Sequence, residues 1–311
     1  MKFSSKILPV SILLALSSQA QAAPNAQAVL EQLNLVVSTT LSSTSHVDGR
    51  TYVGGNATGN GAVFAMHADA VATPSSYKGL TVGGNLGGSG TQVNNSAGAV
   101  VGGTASNLLL NGGGPVSHDI GAVSSPVSTM LTLATNLKSL DATLGTSVSY
   151  SGSGKATFKN TSSADFVVFD LTSMDAGTNS VFKASEFDFN LGGAKTVIFN
   201  TDETAYSINA NFLGGVAASL GSKAIWNFYN AETISLGSQF GGSLLAMNAA
   251  LSNANNIEGG VYVESLVQSG EIHYASGGFK GNIAAVPEPE TYAMLLAGLG
   301  MLAAIGRRKT V

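Results

Sequence analysis

Three stretches of the chain share one phrase: GRTYVGGNATG at 49–59, KGLTVGGNLGG at 78–88 and AGAVVGGTASN at 97–107. In each stretch a short β-type run ends at a valine, and Gly-Gly with Asn or Thr follows it. The valines are Val53, Val82 and Val101, so the second interval is shorter than the first and the period is irregular. Because glycine and asparagine tolerate positive φ, we expect tight corners between short strands here.

The second half of the chain repeats this strand-and-corner pattern. Many short strands with frequent turns indicate an all-β architecture, and small residues at quasi-periodic corners favour a solenoid. The sequence therefore predicts a right-handed β-helix, with a β-sandwich as the alternative, because unrelated strands also give an irregular period. The strand units of the second half are 166–171, 187–192, 196–201, 224–230, 233–238, 242–249, 259–266 and 270–276.

One segment has helical periodicity instead. Its apolar residues follow the i, i+3, i+4, i+7 pattern of one helix face, which predicts a flanking α-helix over about 126–144. Ser124 and Ser125 are candidate caps before Pro126, and Gly145 is the candidate end. We expect the helix to lie along the solenoid and to bury Val127, Met130, Leu131, Ala134, Leu137 and Leu140.

Residues 1–22 have the three parts of a secretory signal. Lys2 and Lys6 form a positive region, Ile7 to Leu16 is apolar, and Ala20 and Ala22 are the small residues of a cleavage site. We expect signal peptidase to process the chain during export.

The other terminus is also apolar and then basic. Tyr292 to Ile305 carries no charge and would make roughly 21 Å of helix, which is short for a bilayer core of about 30 Å. The cluster that follows, Arg307, Arg308 and Lys309, is typical of a segment held on the cytoplasmic side. Both features predict transient retention in the inner membrane.

This tail resembles the PEP-CTERM sorting signal, through Pro287, Glu288 and Pro289, the apolar segment and the basic end. The resemblance implies recognition and processing by an exosortase in a Gram-negative bacterium that makes exopolysaccharide. We expect three parts: signal peptide 1–22, body 23–284 and sorting segment 285–311. The mature protein is expected to lack the tail.

The composition of residues 23–286 excludes several function classes. This body holds nine Lys and Arg against sixteen Asp and Glu, a net charge of −7, and Arg50 is its only arginine. Nucleic-acid binding needs basic patches that neutralise phosphates, so no nucleic-acid partner is expected. The chain has no cysteine, so an exported protein must be stabilised here without disulfides.

The body resembles the choice-of-anchor A domain. The resemblance rests on LNLVVSTTLSSTSHVDGRTYVGGNATG at 33–59 and on 224–236, 241–251 and 255–274 near the end, although Met247 stands where the family more often has proline. It implies an adhesive surface domain with a β-helix fold, some members being collagen-binding, and it brings no catalytic residues and no cofactor.

Two histidine–aspartate pairs are the candidate metal ligands. His46 with Asp48 and His67 with Asp69 each share a strand face, and the pairs would stack if the interval between them matched one solenoid turn. The interval between the corners at Val53 and Val82 is longer, which argues against that stacking, and Asp48 can instead accept backbone hydrogen bonds at a corner. We therefore predict no metal site.

Catalytic patterns are absent from the sequence. His118 with Asp119 lies in a glycine-rich loop, and His273 lies in the closing strand, where a structural role is expected. No serine lies in a G-x-S-x-G turn. Glu186/Asp188 and Asp202/Glu203 are the carboxylate pairs that a glycosidase would need, but nothing brings them together. We predict that the protein is not an enzyme.

The leading hypothesis is a non-enzymatic protein of the cell surface or the exopolysaccharide matrix, an adhesin or biofilm component. Its expected partners are exosortase, signal peptidase, and exopolysaccharide or a surface or host protein. One alternative is a polysaccharide-active β-helix enzyme. Another is an ice-binding protein, although Thr39, Thr40 and Thr51 form no regular threonine rank.

Overall fold

The computed structural model describes residues 24–150, 154–172, 180–274 and 277–283. These residues form 24 mostly short strands, three α-helices and a few 3-10 turns. The α-helices are α1 (Ala26–Gln32), α2 (Val127–Lys138) and α3 (Ala217–Gly221). The 3-10 turns span Asp69–Val71, Ile120–Ala122, Val181–Lys183 and Leu213–Gly215.

The strands before α2 are β1 (Leu33–Val37), β2 (Leu41–Ser43), β3 (His46–Val47), β4 (Arg50–Val53), β5 (Ala57–Phe64), β6 (Leu80–Val82), β7 (Leu86–Val93), β8 (Ala99–Val101), β9 (Leu108–Leu110) and β10 (Val116–Ser117).

The strands after α2 are β11 (Thr146–Tyr150), β12 (Lys155–Asn160), β13 (Phe166–Asp170), β14 (Glu186–Asn190), β15 (Thr196–Thr201), β16 (Ala205–Ile208), β17 (Asn211–Phe212), β18 (Ala224–Phe228), β19 (Thr233–Leu236), β20 (Phe240–Gly241), β21 (Ser243–Asn253), β22 (Ile257–Glu258), β23 (Val261–Gln268) and β24 (Ile272–His273).

Parallel pairing between successive coils builds three faces. The covered face stacks β10, β8, β6, β4, β1, β23, β21, β18, β15 and β13. The open face stacks β7, β5, β2, β23, β21, β19 and β16. The histidine face stacks β9, β7, β5, β3, β24, β22 and β20. Parallel stacking of three faces confirms the β-helix and excludes the sandwich, whose sheets are antiparallel.

The coils are not stacked in chain order. β1 pairs with β4 on one side and with β23 on the other, so the first coil lies in the middle of the solenoid. The chain builds outward from there to β10, crosses along α2, and builds back from β13 until β23 meets β1. The far end is closed by β11, which pairs antiparallel with β12.

The Val-Gly-Gly corners are the stacking points of the first three outward coils. Val53 pairs with Val82 and Val82 with Val101, so the irregular spacing of the corners is the true spacing of the coils. Our reason for the glycines was wrong, because none of the corner glycines has a positive φ. A Cβ at Gly54 or Gly83 would overlap the carbonyl oxygen of Ser38 or Gly54, so glycine is needed for close approach of neighbouring backbones.

The corner asparagines form a ladder between coils. The Asn56 Oδ1 accepts a hydrogen bond from the Asn85 backbone N at 2.8 Å, and the Asn85 Oδ1 accepts one from the Thr104 N at 2.9 Å. Neither asparagine has a positive φ. Each amide oxygen therefore accepts a hydrogen bond from a backbone N–H of the next corner, which would otherwise have no partner.

The core changes character along the solenoid. One inward row of the covered face runs Phe169, Phe199, Trp226, Leu244 and Val261 and then continues into the first half through Leu35. The Phe199 and Trp226 rings stack with centroids 4.0 Å apart. Aromatic side chains are the largest group in the core of the second half, while Val, Leu and Ala, with Phe64, fill the core of the first half.

Helix α2 packs on the outside of the covered face, as predicted, but it is shorter than expected. It ends at Lys138, well before Gly145, and it buries Leu133 where we expected Leu131, which is 38 % exposed. Its start agrees better, because the Ser125 Oγ accepts from the Val127 N at 3.4 Å. The buried side chains of the helix are Met130, Leu133, Ala134 and Leu137.

The end of the described chain is fastened to its beginning. The Gln27 side chain donates to the Gly281 carbonyl at 2.8 Å and accepts from the Ile283 N at 3.0 Å. Phe279 and Ile283 are buried in the same cluster as α1 and α2. Residues 279–283 are thus held against the covered face immediately before the sorting segment.

Candidate functional site

The open face presents two columns of small, uncharged side chains. Alternate residues of each strand point inward, so the residues on either side of an inward apolar residue point to solvent. The first column is Ala205, Thr233, Ala250, Ser265, Thr40, Asn56 and Asn85, and the second is Ser207, Ser235, Ser252, Val267, Ser42, Thr58 and Gly87.

These columns form a flat surface. Seven strands about 4.8 Å apart give a length of about 29 Å, and the columns lie about 7 Å apart along each strand. Neither column contains a charged or an aromatic residue, and Val267 is the largest apolar side chain in them, 59 % exposed. Such a surface offers many hydroxyl groups at regular spacing, which suits an extended ligand.

The histidine face carries a polar network at the junction of the first and last coils. The His273 Nδ1 lies 2.7 Å from the Glu258 Oε1, and its Nε2 lies 2.8 Å from the Glu271 Oε2. The Gln239 Nε2 donates to the same Glu258 oxygen at 2.8 Å. His46 extends the network, with its Nδ1 3.5 Å from the Glu271 Oε1.

The network shifts the pKa values of His273 and Glu258. The hydrogen bond to Glu258 raises the pKa of His273 to about 9, against the lowering effect of burial. The same bond holds the pKa of Glu258 below its ordinary value. His273 is therefore an imidazolium between two carboxylates at neutral pH, a structural arrangement that leaves neither ring nitrogen available as a base.

The four candidate metal ligands do not stack as one solenoid turn would require. Val47 pairs with Phe64, which places the His67 backbone beside that of Asp48 and not beside that of His46. The His67 Nε2 lies 3.6 Å from the Asp48 Oδ1, while His46 faces Glu271 instead. In the described part of the chain, no group of three or more His, Asp or Glu side chains is arranged to hold a metal ion, and Asp69 joins no such group.

Asp48 has the corner role that its motif suggested. Its Oδ2 accepts a hydrogen bond from the Tyr274 backbone N at 2.9 Å, which ties the first coil to the last. Arg50 from the same motif is buried, and its Nη2 donates to the carbonyls of Val71 and Thr73. The Arg50 guanidinium therefore anchors the long insertion between β5 and β6.

The nominated catalytic carboxylates have separate structural partners. Asp188 forms an ion pair with Lys155 at 2.9 Å, whereas the Glu203 Oε2 accepts from the Ser180 hydroxyl at 3.4 Å. Burial raises the pKa of Glu203. The His118 Nδ1 lies 2.8 Å from the Val101 carbonyl oxygen, so it binds backbone at the outer corner.

The processing signals lie outside the described residues. These are the predicted cleavage residues Ala20 and Ala22, the motif Pro287, Glu288 and Pro289, and the basic cluster Arg307, Arg308 and Lys309. Across the residues that the structure does describe, no helix has the length and apolar character to cross a membrane.

Comparison with known families fits this geometry. Residues 26–274 match the model of a family described as "Putative Ice-binding-like adhesive domain". The chain belongs to this family. Residues 285–309 match the PEP-CTERM protein-sorting motif. The adhesive domain and the sorting signal expected from the sequence are confirmed, and together they imply an exported surface protein processed by an exosortase.

Comparison with curated proteins and with solved structures gives no closer description of the chain than this family. No curated protein matches the chain. A solved structure, the crystal structure of an ice-binding protein from the Antarctic ascomycete Antarctomyces psychrotrophicus, is 13% identical, with a TM-score of 0.25. The match covers 78% of this chain and 95% of that one. The specific name choice-of-anchor A stays a prediction.

Sequence reasoning did not show which residues form the open face, although a signal for them exists. An apolar residue followed by serine occurs at Tyr206-Ser207, Ile234-Ser235, Leu251-Ser252 and Leu41-Ser42. Strand pairing places Ser207 on β16 beside Ser235 on β19, and Ser235 beside Ser252 on β21. Glu258 had no signal, because only the coil stacking brings it to His273. Glu271 lies two residues before His273, so its contact with the ring is local.

Proposed function

We propose that this protein is a non-enzymatic adhesin of the extracellular matrix, and that its open face binds polysaccharide. The observation that carries the proposal is the flat, uncharged double column of Ser, Thr, Asn and Ala on seven parallel strands. Serine and threonine hydroxyls both donate and accept hydrogen bonds, as sugar hydroxyls do. Each bond is weak, but a polymer that contacts many coils gains from effective concentration.

Charge supports a polysaccharide of low charge density. The body carries a net charge of −7, and the open face has no basic side chain to attract a dense polyanion. The adhesive family and the exosortase signal are consistent with a protein that works where such a polymer is secreted. The PEP-CTERM tail, in this proposal, holds the protein at the inner membrane until processing and is then lost; intact mass of surface protein that still contains Val311 would contradict that loss.

The test replaces two adjacent serines of the open face. Ser235 and Ser252 are in register on β19 and β21, and the double variant Ser235→Gln, Ser252→Gln makes two uncharged side chains protrude from the flat surface. We expect cosedimentation with the exopolysaccharide of the producing bacterium to weaken about tenfold, or about 1.4 kcal/mol, because the longer side chains hold the polymer away from the neighbouring hydroxyl groups.

The matched control uses an exposed serine pair on a different strand. Ser147 and Ser149 lie on the same side of β11, at the closed end of the solenoid. Ser147→Gln, Ser149→Gln should leave cosedimentation unchanged. Equal loss in both double variants, or no loss in either, would contradict the assignment of the open face.

Ice binding is the second candidate, favoured by the family description and by the same surface. A flat array of Thr, Ser and Ala could order water, although the columns contain only three threonines, Thr40, Thr58 and Thr233. Thermal hysteresis of the purified body decides between them. Activity that the Ser235→Gln, Ser252→Gln variant abolishes would favour ice over polysaccharide.

A further inference from the structure

The pairing of strand β14 is incomplete on one side. β12 pairs with all five residues of β14, whereas β17 pairs only with Glu186 and Phe187. The chain leaves β17 through Gly214 and Gly215, both with φ near +70°, and enters α3. Residues 188–190 therefore have no strand of the described chain beside them on that side, and a gap opens between β14 and α3.

The gap is a concave cavity of about 300 Å³. Its apolar walls include Leu191, Val216 and Leu220, and its polar groups are Asn190, Ser219 and Lys223. A volume at the lower end of the range for ligand pockets fits a small ligand of about one sugar unit. The cavity is separate from the open face, because none of its lining residues belongs to the two columns.

The ring of Phe189 meets the cavity with its edge. Phe189 lines the cavity and is half-buried, and its ring is stacked on Phe158 at 4.8 Å and on Phe212 at 5.6 Å. Because both ring faces are covered, the part of Phe189 that meets the cavity is the edge. The edge of an aromatic ring carries partial positive charge, so it favours an electronegative group of the ligand.

Lys223 gives the cavity a positive charge. Its ammonium lies 3.5 Å from the Ala194 carbonyl oxygen, and no carboxylate of the described residues forms an ion pair with it. By contrast, Lys155 and Lys195 are paired with Asp188 and Asp165 at 2.9 and 2.8 Å. A half-buried cation beside apolar walls favours an anionic group in the cavity.

We propose that this cavity binds one carboxylate-bearing sugar unit, a uronic acid residue, with Lys223 on the carboxylate and Asn190 and Ser219 on hydroxyl groups. The choice of a sugar rests on the proposed function, whereas the choice of an acid rests on Lys223 and the Phe189 edge. A polysaccharide with occasional uronic acids would then have two separate contacts, one along the open face and one here.

The test titrates the protein body with methyl glucopyranosiduronate, methyl glucopyranoside and acetate, and follows backbone amide NMR shifts. We expect the uronate to shift amides of 189–192 and 216–223 and to bind about tenfold more tightly than the neutral glucoside, because only the uronate accepts a charge-assisted hydrogen bond from Lys223. Acetate should bind at least about tenfold more weakly than the uronate, since it lacks the ring contacts.

Two variants and two controls assign the binding to this cavity. Lys223→Gln should remove the preference for the uronate, and Ser219→Phe should fill the cavity and abolish binding. Lys195→Gln, at an exposed and paired lysine, and Ala218→Phe, at an exposed position of α3 outside the lining, should bind as the parent does.

Three outcomes would overturn the proposal: equal binding of uronate and glucoside, acetate as tight as the uronate, or shifts confined to the open face. None of them bears on the cosedimentation test, which uses Ser235 and Ser252. Loss of cosedimentation in the open-face variant together with no uronate binding would leave the adhesin proposal standing and remove this one.

Discussion

At the scale of single residues, the glycines of the corners are chosen for the space that they leave. A Cβ at Gly83 would overlap the carbonyl of Gly54, whereas a Cβ at Gly87 would meet no atom within 4 Å. Both glycines lie in one coil, and neither has a positive φ. Substitutions at the two positions therefore compare a crowded glycine with an uncrowded one, without backbone strain in either.

Gly83→Ala should destabilise the body by about 1–3 kcal/mol, the usual cost of overpacking. Gly87→Ala should be neutral or slightly stabilising, because it only reduces the freedom of the unfolded chain. Urea unfolding followed by far-UV circular dichroism measures both. Similar destabilisation in the two variants would mean that glycine flexibility, and not backbone proximity, decides the corner.

His273 gives the junction of the first and last coils a pH dependence. The bond to Glu258 raises the pKa of His273 to about 9 from 6.5, so its contribution to stability is complete below pH 6.5 and is lost as the pH rises towards 9. The pKa of Glu258 is lowered from 4.5, so its contribution is lost as the pH falls below 4.5.

The stability lost in His273→Gln should accordingly be greatest between about pH 5 and 6.5 and should shrink towards pH 9. Thermal unfolding of the parent and the variant across this range provides the measurement. His118→Gln is the control, because its ring contacts a backbone carbonyl and no carboxylate. A difference that stays constant with pH would show that the ion pair contributes nothing.

At the scale of elements, α2 is fixed to the covered face by two asparagines as well as by its apolar stripe. The Asn200 Nδ2 donates to the Leu137 carbonyl at 2.7 Å, and the Asn227 Nδ2 donates to the Ala134 carbonyl at 3.0 Å. The four last carbonyls of a helix have no partner within the helix. Of the two carbonyls, only that of Leu137 lies in the last turn, so the Asn200 amide supports the end of α2 at Lys138 without the glycine that the sequence suggested.

Asn227→Ala should destabilise the body by about 1–3 kcal/mol, because it removes the buried hydrogen bonds that the Asn227 amide donates to the Ala134 carbonyl and to the Asn200 amide oxygen. Hydrogen exchange should accelerate first in α2. Asn209→Ala, at an exposed asparagine, is the control and should change neither quantity. Unchanged exchange in α2 would mean that its apolar face alone holds the helix.

At the scale of the whole molecule, the broken stacking order makes the two halves depend on each other. β1 has no complete pairing until β23 has folded, although the two strands are far apart in the chain. Neither half therefore has a full set of neighbours by itself. We infer that the body unfolds as one cooperative unit.

Trp226 reports this cooperativity, since it is the only tryptophan and lies on β18 in the second half. Gly83→Ala changes the first half, about 24 Å away along the stack at about 4.8 Å per strand. We expect the urea midpoint from Trp226 fluorescence to fall as far as the midpoint from circular dichroism. A fluorescence midpoint that does not move would show that the halves unfold independently.

Much of the fold was visible in the sequence because it follows from local patterns. Short runs of Val, Ile and Phe predicted the strands of the second half, and the corner valines Val53, Val82 and Val101 marked the true intervals between coils. The helix was predicted in place but with Leu131 on its buried side. That error arose because Leu131 and Leu133 both lie beside the apolar stripe of the helix, so periodicity did not decide between them. Contact with the covered face decides which of the two is buried.

The candidate sites were less predictable, because they are made of residues from different coils. Stacking of the two histidine–aspartate pairs needed His46 to lie beside His67, whereas His46 pairs with Val63 and faces Glu271. The cavity depends on the early end of β17, and nothing near Lys223 in the sequence marks it. Register between distant coils is not encoded in any one segment.

By itself, the sequence determined the sorting signal, the strands and their corners, the flanking helix and the absence of basic patches, and it predicts the export signal, since each depends on neighbouring residues or on composition. Only the tertiary structure decided which strands lie side by side, with β1 enclosed between β4 and β23. That order aligned the serines of the open face, enclosed His273 between Glu258 and Glu271, and left the gap beside β14. The physical reason is that parallel pairing between distant coils is set by the packing of the whole core, and each surface is a product of that pairing.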